Sequence, residues 1–148
     1  MGSVSSLPRP RSIQAGADMS LPQSDIACLN ERGLEYSVSA EANMTCVVFP
    51  GFALPPGYDR PKSDLLVRLR PGFPDVPPDM WWFNPPVLLA GGRSVPATEV
   101  TEHHLGRSWQ RWSRHFSAGQ WRSGTDCIES FLALIRKELE RCAGGPNR

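Results

Sequence analysis

The chain has 148 residues, 40% of them hydrophobic and 21% charged, with a formal net charge of +1. That length suits one domain with a real core, and the near-neutral charge offers no basic field for gripping phosphate backbones. No apolar run approaches the roughly 20 residues that span a bilayer, so nucleic acid and membrane are set aside as partners.

Residues 1–20 are rich in Ser, Pro, Gly and Arg without periodicity and read as a flexible tail ahead of a domain over 21–145. The tail carries two arginines but no apolar run behind them, which does not match a secretory signal. Cys28, Cys46, Cys127 and Cys142 form no Cys-x-x-Cys pair, and the histidines are His103, His104 and His115. This spacing suits neither a zinc module nor a secreted disulfide framework. The expectation is reduced, buried thiols in a cytoplasmic protein, with no metal and no organic cofactor.

In chain order, Ser24 to Gly33 predicts a short helix with a serine cap and a glycine stop. Tyr36–Ala42 alternates as a half-buried strand, and Thr45–Phe49 and Leu65–Leu69 read as two more. Pro50-Gly51-Phe52 and Leu54-Pro55-Pro56-Gly57-Tyr58 predict a rigid loop between them. Met80-Trp81-Trp82-Phe83 is a fourth strand. Its two tryptophans point to opposite faces, so one belongs to the core and the other is a candidate partner contact unless a loop covers it. Gly91-Gly92 is read as a turn. Ile128, Phe131, Leu132, Ile135 and Leu139 mark the apolar face of a long helix, capped by Thr125 or Asp126 and ended by Gly144-Gly145-Pro146. Strands followed by a helix make an α+β domain with an antiparallel sheet, a short N-terminal helix and a C-terminal helix. The stretch from Gly91 to Gly124 is left irregular, and structureless stretches of such length tend to carry function.

Gly72-Phe73-Pro74-Asp75-Val76-Pro77-Pro78-Asp79-Met80-Trp81 resembles the aromatic-Pro-x-x-Pro-Pro signature of the ubiquitin-conjugating enzymes, and Trp121-Arg122-Ser123-Gly124 resembles the Trp-Ser-Pro that precedes a helix in that family. Trp109-Gln110-Arg111-Trp112-Ser113-Arg114-His115 is similar to the signature of a bacterial branch whose members occur with ubiquitin-like proteins, an activating enzyme and a processing protease. The resemblance implies the UBC fold over most of the chain. The family places a His-Pro-Asn tripeptide before its catalytic cysteine and a tryptophan eight residues after it. Counting back eight from Trp121 gives Ser113, and counting back ten more gives His103, with no asparagine after it. Counting forward from Pro77-Pro78 gives Thr98 instead, and neither route reaches a cysteine.

A serine acting in place of a thiolate needs a base. On extended backbone Ser113 and His115 would share a face, which makes His115 the candidate base or orienter; His103 or His104 would assist. Arg111 and Arg114, with Trp112 between them, are candidate binding residues for the carrier's C-terminal carboxyl-derived oxygen or its diglycine tail. The implied partners are a ubiquitin-like protein, an activating enzyme and a target lysine. Thr98 and Ser94 stand as rival acceptors. Two other readings stay open: a catalytically silent scaffold that binds a ubiquitin-like protein or its activating enzyme, and an unrelated α+β protein. The bland alternatives are equally concrete. Ser113 is then a turn residue, His115 a loop fastener, and Trp109, Trp112 and Trp121 packing anchors.

Overall fold

The computed structural model describes residues 21–115, 121–122 and 126–144. The tail over 1–20, the predicted cap Thr125 and the Gly145-Pro146 stop lie outside the described residues. The elements are α1 (Gln23–Glu31), β1 (Ser37–Glu41), β2 (Met44–Ala53), β3 (Lys62–Leu69), β4 (Trp81–Asn84), β5 (Thr101–His104), β6 (Arg107–Trp112) and α2 (Ile128–Gly144). The strands form one antiparallel sheet in the order β1-β2-β3-β4-β6-β5. Together with the two helices this is a mixed α+β, UBC-like fold.

The periodicity of α2 places Ile128, Phe131, Leu132, Ile135 and Leu139 in the core, all five buried. They pack on the sheet face that carries Val47, Phe49, Leu65, Val67, Leu69, Trp81, Phe83 and Trp112. Trp81 meets Phe131 edge-on at 6.0 Å and stacks on Trp112 at 6.0 Å. Tyr58 closes one end by donating its hydroxyl to the Leu139 carbonyl at 2.6 Å.

The predicted serine cap of α1 is replaced, since Ser24 lies inside the helix. Pro22 precedes the first turn of α1 without a side-chain bond, and the backbone N–H groups of Asp25 and Ile26 donate to its carbonyl. Asp25, buried in that first turn, accepts the Ile128 N–H at 3.2 Å and so caps α2 from 103 residues away. Asp126 instead accepts the Arg122 N–H. Ser130 Oγ accepts the Cys127 N–H at 3.2 Å, one half of a capping box.

Pro50-Gly51-Phe52 is strand and not loop. The β2–β3 register slips between Phe49 and Phe52, which makes a bulge, and β1 has already ended opposite Val48. Gly51 takes a positive φ of 62° there and donates its N–H to Asp64 at 2.8 Å. Part of the stretch read as irregular also proves regular. Its residues 101–112 form the β5–β6 hairpin around Leu105-Gly106, both at positive φ (56° and 74°) as a two-residue hairpin turn requires.

The hairpin changes the other face of the sheet. Trp82, Arg68, Arg111, Trp109, Glu102 and His104 share that face by register, and α2 lies on the opposite one. Trp82 is only 4% exposed, because Glu102 accepts its indole N–H at 2.9 Å and His104 meets its ring edge-on at 5.4 Å. The covering that the sequence left conditional is therefore supplied by β5. At this end the sheet curls until its two edges meet: Glu41 of β1 accepts the Leu105 N–H at 2.8 Å and faces His104 at 3.3 Å.

Candidate functional site

The site grows out of the end of β6. Arg111 pairs with Trp82 on β4, and Trp112 pairs with Trp81, so Arg111 lies on the curled face while Trp112 faces α2. Trp112 is wholly buried. Its indole donates to Gln110 Oε1 at 3.0 Å, and Gln110 also bonds the Val87 N–H and C=O at 2.9 and 3.0 Å. Trp109 is buried as well, donating to the His104 carbonyl at 2.9 Å with the Arg107 guanidinium over its ring. Two tryptophans and the glutamine of the short string are thus packing and hydrogen-bonding residues. Trp112, expected to bind a partner, presents no surface to one.

Beyond Trp112 the chain leaves the sheet but stays tied down. Ser113 N–H donates to the Ala97 carbonyl at 3.0 Å, and the Arg114 carbonyl accepts the Met80 N–H at 3.1 Å. Ser113 Oγ, half-buried, accepts from Arg111 Nε at 3.1 Å. Arg111 in turn donates from Nη1 to Glu102 Oε2 at 2.7 Å. The other Glu102 oxygen takes the Trp82 indole and faces His104 Nε2 at 3.0 Å. Burial works to raise the Glu102 pKa, but hydrogen bonds from His104, Trp82 and Arg111 outweigh it and hold the carboxyl below its ordinary value. Glu41 is lowered too, first through the Leu105 N–H. Ser113 therefore ends a polar chain that runs through Arg111, Glu102 and His104 to Glu41.

His115 is exposed and turns elsewhere. Its Nδ1 lies 2.9 Å from Asp79 Oδ1, which leaves Nε2 as the outer ring nitrogen. Among the described residues no hydrogen bond joins Ser113 to His115. His103 sits on β5 with Nε2 3.1 Å from Ser108 Oγ, far along the hairpin from Ser113. Arg114 donates to Glu138 at 2.7 Å, to the Pro96 carbonyl at 3.1 Å and to its own neighbour's carbonyl, with its guanidinium 5.0 Å over Trp112. It clamps α2 to the loop ahead of β5. Of the rival acceptors, Thr98 is buried and donates to Val95, whereas Ser94 is exposed.

The segment before β4 meets the one before α2. Trp121 donates its indole N–H to the Pro74 carbonyl at 2.8 Å, and its ring lies 6.2 Å from Phe73. These are the aromatic and the proline of one motif held by the tryptophan of the other. Over residues 21–142 the chain matches the model of prokaryotic E2 family E. It belongs to that family. No curated protein and no solved structure matches it.

For a member of an E2 family, the placement of the cysteines matters. Cys46 lies inside the sheet and Cys142 in the last turn of α2, and burial pushes both thiols up, away from the thiolate form. Cys28 lies on α1, and Cys127 begins α2. Sequence reasoning missed Asp79, Glu102 and Glu41, the carboxylates that hold His115, Arg111 and His104. Asp79 closes the proline-rich motif, and its partner His115 lies 36 residues further on. Glu102 stands beside His103 with nothing local to mark it, since its partners come from β4 and β6.

Proposed function

We propose that this E2-like protein serves a bacterial ubiquitin-like conjugation pathway, taking a ubiquitin-like protein from an activating enzyme as an oxyester on Ser113 and passing it to a target lysine. The observation that carries this reading is the Asp79–His115 pair two residues beyond a serine whose oxygen is already held by Arg111. An aspartate on Nδ1 leaves the outer imidazole nitrogen to act as base. Ser113 Oγ attacks the thioester carbonyl; the O–C bond forms, the C–S bond breaks, and the serine proton passes by way of His115 to the departing thiolate. In the second half the lysine amine attacks the ester, and Ser113 recovers its proton. The step requires the His115 ring to reach Ser113 directly or through water, and catalytic hydrogen bonds often tighten only once substrate is bound. No step is assigned to His103. The working unit is the domain over 21–145, acting in the cytoplasm without metal or cofactor.

A scaffold that binds the ubiquitin-like protein without accepting it is the second reading. The observation in its favour is that Ser113 has a guanidinium as its side-chain partner, a donor that takes no proton. The deciding assay incubates the protein with its activating enzyme, ubiquitin-like protein and ATP, and reads intact mass. An adduct that survives reductant, falls to hydroxide and vanishes in Ser113→Ala establishes the oxyester. An adduct lost to reductant moves the acceptor to a cysteine. Binding without any adduct makes the protein a scaffold.

A further inference from the structure

A cavity of about 400 Å³ opens between β4, residues 114–115 and the outer half of α2, lined by Trp81, Arg114, His115, Phe131, Leu134, Lys137, Glu138 and Arg141. We propose that it is a binding site for a small apolar carboxylate. Its size falls in the range of ligand pockets, and its composition is of their kind: an apolar floor with a few converging polar groups. The floor is Trp81, Phe131 and Leu134. The rim holds three fixed cations, Arg114, Lys137 and Arg141, against the one carboxylate of Glu138. That carboxylate is already engaged, by Arg114 at 2.7 Å and Arg141 at 2.6 Å. Lys137 has no ion-pair partner among the described residues, so an incoming anion displaces nothing to reach it.

The same balance selects against other ligands. A primary amine meets three cations at the rim, and a polyphosphate would lay its charge on an aromatic floor. A single carboxylate on an aromatic or branched body satisfies both halves of the cavity. The cavity shares His115 with the oxyester reading, but ligand binding is read without any transfer step, so failure of one does not decide the other.

The test titrates the full chain with hydrocinnamate, its primary amide, and phenylpropylamine, using calorimetry for affinity and methyl NMR of Leu134 for location. Hydrocinnamate is expected to saturate and to shift the Leu134 methyls. Its amide should bind about tenfold more weakly, as loss of a charge-assisted contact implies, and the amine should not bind. Lys137→Glu, on the exposed side of α2, should weaken hydrocinnamate at least about tenfold with the helical circular dichroism unchanged. Leu134→Trp, which fills the floor, should abolish calorimetric binding. Absence of saturable binding, equal affinity for the amide, or an unchanged affinity in Lys137→Glu would each overturn the proposal.

Discussion

Glu41, closing one edge strand, and His104, closing the other, face each other at 3.3 Å, so the two edges of the sheet are joined at one end. The same carboxylate accepts the N–H of Leu105, a residue held at positive φ in the hairpin turn. A leucine there is strained, and an anchored N–H fixes the turn against relaxing. Glu41→Ala should destabilise the fold by about 1–2 kcal/mol, the worth of a charge-assisted bond on a partly screened group. Glu41→Gln, which keeps an acceptor for Leu105, should cost clearly less. Urea midpoints of the two variants provide the check, and equal losses would show that the turn contact contributes nothing.

Buried Gln110 uses its amide three ways, on both backbone groups of Val87 and on the Trp112 indole. Gln110→Leu fits the volume but strands all three. The expected loss is about 2–4 kcal/mol, measured by chemical denaturation, since each buried orphan costs on the order of 1 kcal/mol or more.

Asp25 offers a cleaner separation of charge from hydrogen bonding. Burial raises its pKa above the ordinary value, against the opposing pull of the Ile128 N–H and of Cys127, and its second oxygen is buried with no hydrogen-bond partner among the described residues. Asp25→Asn keeps an acceptor for Ile128 and removes the buried charge, so at neutral pH it should be neutral or stabilising. Asp25→Ala uncaps α2 and should lose about 1–2 kcal/mol. Thermal melts of both variants decide it; a destabilised asparagine variant would count against the argument.

Acid should weaken the fold through three other carboxylates. Burial pushes Glu138 up, but bonds from Arg141 and Arg114 outweigh it and bring its pKa down to about 2; Glu41 and Glu102 are also lowered. A lowered carboxyl holds fewer protons in the folded chain than in the unfolded one. Its contribution is therefore complete above the unfolded value of 4.5 and drains away as pH falls toward the folded value. Asp25 carries the opposite sign and offsets part of this. Denaturation midpoints should fall from about pH 5 to about pH 3, and Glu138→Gln should flatten that slope. A variant with an unchanged slope would remove Glu138 from the account.

If His115 acts as base, its orienting partner matters to rate more than to binding. Asp79→Asn should slow oxyester formation by about 100-fold or more, while the affinity for the ubiquitin-like protein stays constant. Single-turnover kinetics over a pH series separates the two effects. An unchanged rate in Asp79→Asn would reduce the pair to a fastening of the loop.

Local chemistry determined a good deal on its own. The apolar stripe of α2 appears in the sequence at helical spacing, and every residue of it is buried, because an amphipathic helix has only one face to offer a core. The strands β1 and β3 were legible too, β3 because its apolar run is buried on both faces of the sheet. Tertiary structure decided the rest. Proline at position 50 argues for a loop when read locally, yet a bulge beside the end of β1 makes room for it in a strand. The hairpin over 101–112 hid behind two histidines and a leucine turn, since it is tied to Trp82 and Glu41, which lie 20 and 64 residues away from the groups they hold. The helix cap came from Asp25, 103 residues upstream. In the candidate site, the spacing of Ser113 and His115 suggested a shared face, as an unbroken strand would provide. β6 ends at Trp112, so the geometry that sets those two side chains is no longer that of a strand. Periodicity reports what a segment does with its neighbours in sequence; the partners of a charged side chain are chosen by which strands the sheet brings alongside.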